Sequence, residues 1–243
     1  MKNSIKYILQ QLLGYHGYLY LFARLMVLKL PHDKQERDFM HLLTYLKKQD
    51  TVLDVGANIG VMTYHLARRV SQGKVFAIEP IASNRRVITR LVRRFDLANV
   101  VLLPIAAGDN NGKCKMTIPQ KRGVSLHGLA HVVAADEFNA AMGEEVHMKR
   151  LDDLPELKLH RIAAIKLDVE ESEYATLKGA EQLLIVQKPV VYCELWNTKN
   201  RRLTFDFMQS LGYEAHMYNG THLQPAEINC AKQNFFFLPK QTM

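Results

Sequence analysis

Chemically capable residues fall into three groups. The first is Asp54-Val55-Gly56-Ala57-Asn58-Ile59-Gly60, which follows a short apolar run from Val52. Gly56 and Gly60 let a backbone approach a ligand and let a helix sit tightly on a strand. Asn58 stands between them and tolerates left-handed geometry better than most residues. The second is Glu79, about twenty residues after Gly60, the interval at which a carboxylate accepts hydrogen bonds from ribose hydroxyls. Asp54 narrows the ligand further. A carboxylate in this turn repels a pyrophosphate but suits an ammonium group, held directly or through water. An adenosine joined to a cationic methionine, as in S-adenosylmethionine, meets all three demands.

The third group is Asp168 and Glu170 in Lys166-Leu167-Asp168-Val169-Glu170, with Glu194 further on. Methyl transfer from such a cofactor requires alignment of the reacting atoms and, where the acceptor is a hydroxyl, uptake of a proton. Crowded carboxylates raise one another's pKa and so make better bases near neutrality. The same three carboxylates also suit Mg²⁺, which would orient a hydroxyl, and the sequence leaves both readings open. A plainer role for Glu170 and Glu171 is to cap a helix that begins near Ser172. His127 is a further candidate base, although a lone loop histidine is more often merely solvated. Ser125 and His131 share its irregular stretch. Trp196 suits either stacking on a sugar face or core packing.

The elements that must position these residues alternate. Val52–Val55, Lys74–Ile78, Val100–Ala107, Ile162–Leu167 and Val190–Cys193 read as strands. Between them lie helical stretches at 59–70, at 83–95 with Ser83 or Asn84 as cap, at 173–186 and at 201–211. Alternation of this kind implies a parallel sheet with right-handed crossovers. Tyr213–Tyr218 and Asn234–Leu238 close the chain as two further strands. Residues 110–155 break the pattern, with strands at 113–118 and 145–151 around an irregular segment at 121–141. Ahead of the first strand, residues 1–50 read as helices, the last near 34–49, packed on or over the site; residues 51–243 form the main domain.

Taken in order, Asp54-Val-Gly-Ala-Asn-Ile-Gly60, Glu79-Pro80, Leu151-Asp152-Asp153-Leu154, Lys166-Leu-Asp168-Val-Glu170 and Lys178-Gly179-Ala180 resemble the FkbM-type methyltransferases, from about Thr51 to Pro239. The resemblance implies a single doubly wound α/β domain. Its sheet is a seven-stranded, Rossmann-like methyltransferase sheet, with N-terminal helices and a loop or hairpin insertion. It also implies S-adenosylmethionine as cofactor and O-methylation of a hydroxyl on a sugar, glycan, lipid or secondary metabolite. Carried over by motif, Asp54, Gly56, Ala57, Asn58 and Gly60 cradle the cofactor, Glu79 its ribose, and Ala106 and Ala107 its adenine, while Asp168 and Glu170 face the transferred methyl. One residue departs: Glu171 stands where the family has glycine.

Composition bounds the rest. The 243 residues suffice for one large α/β domain. Three scattered cysteines form neither a disulfide framework nor a metal pair, which together with the lack of a signal-peptide cleavage site suits the cytoplasm. Tyr18–Leu30 is too short and too charged to span a bilayer; its helices suit a lid or, as the lesser alternative, a peripheral membrane contact. A net charge of +8 raises an RNA methyltransferase as an alternative. The strand ending in Asp-Val-Glu lacks the aromatic motif of base methylation, so no specific nucleic-acid partner is expected. A cofactor-binding scaffold without catalysis is the third reading, motivated by Glu171.

Overall fold

In the computed structural model, residues 2–117, 120–121, 124–125, 131–133 and 143–240 are described, with side chains over 10–117 and 143–240. His127 lies outside the described residues, and Ser125 and His131 are described in backbone only.

The chain opens with α1 (Lys2–Lys29), broken at Gly14, whose φ of 65° and ψ of 166° are not helical. After it, α2 is only Arg37–Leu42, flanked by 3₁₀ turns at Leu30–His32, Lys34–Glu36 and Leu43–Tyr45; the helix expected over 34–49 is thus mostly tighter turns. The alternating part follows as β1 (Thr51–Val55), α3 (Val61–Arg69), β2 (Lys74–Ile78), α4 (Ala82–Phe95) and β3 (Val100–Leu103). The run to Ala107 does not continue as one strand. Pro104, which has no N–H to donate, follows β3, and β4 (Ala106–Ala107) pairs with a second sheet. That sheet orders β4, β9 (Gly143–Lys149), β5 (Gly112–Thr117) and β8 (His131–Val133), while β6 (Gln120–Lys121) and β7 (Val124–Ser125) pair by themselves.

The main sheet resumes with β10 (Ile162–Leu167), α5 (Glu173–Lys178), α6 (Glu181–Gln187), β11 (Val190–Glu194), α7 (Lys199–Ser210), β12 (Tyr213–Tyr218), β13 (Leu223–Pro225) and β14 (Asn234–Pro239). Its order is β13-β12-β14-β11-β10-β1-β2-β3. The strands from β11 to β3 are parallel, and β14 is antiparallel between β11 and β12. Seven of these strands match the expected sheet; β13, three residues paired with β12, is the eighth.

Side chains alternate across the sheet as strand geometry requires. Leu53, Val55, Phe76, Ile165 and Leu167 face the layer carrying Leu177, Leu184 and Met208. Val52, Val75, Ala164 and Tyr192 face the layer carrying Phe39, Leu42 and Leu66. A helix expected over 173–186 is two helices instead. Gly179 presses so close to Gly108 that a Cβ there would stand 1.9 Å from the Gly108 carbonyl oxygen. Its own carbonyl accepts from Asp152 N. The Asp152 carboxylate in turn accepts from Gln182 N and Leu183 N at the start of α6. That is a structural role for the Leu151-to-Leu154 motif.

Candidate active site

The glycine turn lies between the carboxyl ends of β1 and β10, where open α/β sheets bind ligands. Gly56, Asn58 and Gly60 all have positive φ, at 76°, 50° and 81°. Gly56 N and Ala57 N both donate to the Ile78 carbonyl, which fixes the turn to β2. At the end of β2, Glu79 is buried and gathers donors: its Oε2 accepts from Asn58 N at 2.7 Å, its Oε1 from Ile81 N at 2.9 Å and Asn84 Nδ2 at 3.2 Å. Burial raises its pKa to about 7 against the pull of those donors. Neither Ser83 nor Asn84 caps α4. Ile81 occupies the cap position without a side-chain bond, Asn84 is turned to Glu79, and Ala82 N donates instead to Glu144 Oε2 on β9.

Two cavities meet at Asp168. One, of about 580 Å³ with its open mouth included, runs from Asn58 and Glu79 past Ile81, Ala106, Ala107 and Met116 to Asp168 and Glu170. The other, about 1340 Å³ on the same measure, is lined by Lys34, Glu36, Asp38, Lys166, Asp168, Tyr192, Glu194, Lys232 and Asn234. The structure therefore brings Gly56, Asn58, Glu79, Ala106, Ala107, Asp168 and Glu170 to one cleft, and Glu194 to the adjoining one. Asp54, Ala57 and Gly60 line neither cavity. The Asp54 carboxylate is fully buried, accepting from Thr63 Oγ1 at 2.6 Å and facing Lys166 Nζ at 3.4 Å. Gly60 supports the helix behind the turn, where a Cβ would stand 3.0 Å from Ile88 Cγ1.

Lys166 organises the junction. Its buried Nζ donates to the Gly56 carbonyl at 2.8 Å and lies 3.7 Å from Asp168 Oδ2. Burial works against the ammonium, but Asp54 and Asp168 outweigh it and hold its pKa above the ordinary value. The carboxylates around it are also shifted toward protonation, which for them means loss of charge. Burial first, and then the Asp168 charge, raise Glu170 and Glu194 to about 7. Glu173 is likewise raised to about 7 by burial. It accepts from Val169 N at 3.2 Å and from Asn200 Nδ2, so it holds the loop after β10 rather than lining it.

Glu170 and Glu171 do not cap α5. The cap residue is Ser172, without a side-chain bond. Glu171, at the family's glycine position, has φ of 71° and lines neither cavity. Its carboxylate accepts from Thr198 Oγ1 at 2.7 Å, in the loop after β11. Trp196, in that loop, is 44% exposed and is no core residue. The Mg²⁺ reading gains no support: among the described residues no three His, Cys, Asp or Glu side chains come together as a metal site.

The sequence reading missed Glu36, Asp38, Tyr192 and Lys232 in the second cavity, and gave Lys166 no role of its own. Lys166 carried a legible signal, since a lysine inside Ile-Ala-Ala-Ile-Lys-Leu must find buried partners. Glu36 and Asp38 carried none.

A parallel sheet with an antiparallel strand beside its last parallel one, a glycine turn and a buried carboxylate ending the second strand define a Rossmann-like methyltransferase. Residues 54–215 match the methyltransferase FkbM domain. The chain belongs to the FkbM family of S-adenosylmethionine-dependent methyltransferases. It is 25% identical over 170 residues to Methyltransferase sdnD of Sordaria araneosa, covering 60% of this chain and 66% of that protein. It is 25% identical over 181 residues to Methyltransferase 1 of Beauveria bassiana, covering 62% and 70%. Among solved structures, Methyltransferase FkbM from Methylobacillus flagellatus shares the fold, with a TM-score of 0.55 at 18% identity over 79% of this chain and 44% of that one. The chain thus spans under half of that bacterial protein and just under two thirds of the Sordaria one.

Proposed function

We propose that this chain methylates a hydroxyl of a polar acceptor (a sugar, glycan, lipid headgroup or secondary metabolite) held in the cavity between α2 and β11. The observation that carries this reading is the position of Asp168, which borders both cavities, with Glu170 on one side and Glu194 on the other. The first cavity fits S-adenosylmethionine by its chemistry: apolar Ile81, Ala106 and Met116 for a flat base, and the Glu79 carboxylate for ribose hydroxyls. When bound, that cofactor supplies a methyl group already activated by its sulfonium. Asp54 and Lys166 keep the Gly56 turn and the Asp168 strand end in one geometry. Asp168 orients the acceptor hydroxyl, and one of the two flanking carboxylates, Glu170 or Glu194, ionised above about 7, receives its single proton. The second cavity sets Glu36, Asp38, Asp168 and Glu194 against Lys34, Lys166 and Lys232, a mixed lining of small net charge that suits a neutral polyol better than a phosphate-rich RNA.

The test pairs binding with transfer. Titration with S-adenosylhomocysteine is expected to show binding by the wild type. Asp168→Asn is expected to lower methyl transfer, across a panel of hydroxylated acceptors, by about a hundredfold or more, with S-adenosylhomocysteine affinity kept within about tenfold. Unchanged turnover in the variant refutes the assigned role of Asp168.

A further inference from the structure

The second half of α1 is apolar on two opposite sides. Leu19, Ala23 and Val27 are buried against the domain, Leu19 and Ala23 beside Ile59, Val87 and Leu91. Phe22, Leu25 and Leu28, at i, i+3 spacing on the other side, are 40%, 56% and 68% exposed. A surface helix normally turns charge to solvent, and packing among the described residues does not account for this outer stripe. Cations flank it. The Arg24 and Arg90 guanidiniums both lie over the Tyr20 ring, Arg90 at 4.0 Å from its centroid. Arg86, one helical turn before Arg90 on α4, reaches the His16 ring on α1 at 3.3 Å. Arg86 and Arg90 of α4 therefore sit against α1 at His16 and Tyr20, on the same exposed side of the domain as Arg24.

We infer that α1 and the arginine face of α4 form a docking surface for an anionic lipid bilayer. The occupant follows from charge complementarity. An apolar strip bordered by guanidiniums suits acyl chains beneath anionic headgroups, whereas a self-association face of like chains would bring the same arginines together. Among the described residues no helix is long and apolar enough to cross a membrane, so the helix lies along the surface. The location also has a consequence for access: α1 leads directly through Asp33 into Lys34, Glu36 and Asp38, which line the second cavity. On the reading that the acceptor occupies the second cavity, a bilayer seated on α1 lies at the start of the segment that lines it.

Co-sedimentation with vesicles tests this, using phosphatidylcholine alone or mixed with phosphatidylglycerol. The protein is expected to bind the mixed vesicles, to leave the neutral ones, and to be released as salt rises. Leu25→Ser with Leu28→Ser is expected to weaken binding by about tenfold or more. Arg86→Gln with Arg90→Gln is expected to abolish the preference for anionic vesicles. All four residues lie outside both cavities, so unchanged S-adenosylhomocysteine affinity confirms that the variants are folded. No binding, or binding that survives both pairs of substitutions, overturns the inference. So does a concentration-dependent dimer that the leucine substitutions dissociate, because the stripe then belongs to a second copy.

Discussion

Gly56 and Asp168 touch through their backbones. A Cβ on Gly56 would stand 1.7 Å from the Asp168 carbonyl oxygen and 2.8 Å from its carbon. Asp168 N donates to the Val55 carbonyl, so the cofactor turn and the strand end that carries the central carboxylate are one rigid unit. A side chain at 56 must separate them, and the φ of 76° at that position adds its own strain. Gly56→Ala is therefore expected to destabilise the fold by about 3 kcal/mol and to lose S-adenosylhomocysteine binding. Urea unfolding and calorimetric titration check both; a variant of wild-type stability and affinity would show that the two strand ends are not coupled as described.

Lys166 carries the second prediction. It is the buried cation between Asp54 and Asp168, and Asp54 has no exposure at all. Lys166→Met leaves that carboxylate without its counter-charge, at an expected cost of about 3–5 kcal/mol. Adding Asp54→Asn removes the stranded charge and keeps a partner for Thr63, so the double variant is expected to be more stable than the single one. Denaturant titration of the three proteins decides it. A double variant that loses the sum of the two single losses would mean that the pair is not coupled.

The pH dependence follows from the raised carboxylates. A base must be ionised, and Glu170 and Glu194 hold their protons up to about 7. Transfer is expected to rise as pH climbs through about 7 and to level above it. Stability runs the other way. Glu79 has an ordinary pKa of 4.5 when unfolded and about 7 when folded, so the folded state binds more protons between those values and stability falls as pH rises through that window. Urea titrations on either side of the window, for wild type and Glu79→Gln, isolate the contribution: the stability difference between the two is expected to change with pH. A constant difference would sink the assignment.

What the sequence made legible was local. The turn at 54–60 was readable because Gly56, Asn58 and Gly60 are residue types that accept the positive φ they adopt. Glu79 was readable because it ends a strand at a fixed interval from that turn. The parallel strands were readable because both their faces are buried, which leaves continuous apolar runs. What stayed hidden depends on contacts between distant segments. Glu36 and Asp38 reach the second cavity only because α2 packs on β11, with the Phe39 and Tyr192 rings 6.3 Å apart. The break between α5 and α6 depends on Gly108, far back in the chain. The outer stripe of α1 was ambiguous for a related reason: a helix with apolar residues on two sides reads the same whether both of its sides are covered or one.

Glu171 is the departure from the family pattern, and its geometry gives a sharp test. The position is left-handed, with φ of 71°, directly after Glu170 at 50°. A glycine there adopts such a backbone without strain, whereas a residue with a Cβ is held in it at a cost of about 1–2 kcal/mol. The Glu171 carboxylate offsets part of that through its bond to Thr198 Oγ1. Glu171→Ala keeps the strain and loses the bond; Glu171→Gly loses both. In an ordinary position alanine is the more stable of the two, but here Glu171→Gly is expected to exceed Glu171→Ala by about 1 kcal/mol. Because Glu171 lines neither cavity, transfer by the glycine variant is expected to stay within about threefold of wild type. Thermal unfolding of the two variants, read beside their turnover, separates the alternatives. An alanine variant more stable than the glycine one would mean that the left-handed turn is not what this site requires. A glycine variant that lost transfer would place the Glu171 side chain in the chemistry itself.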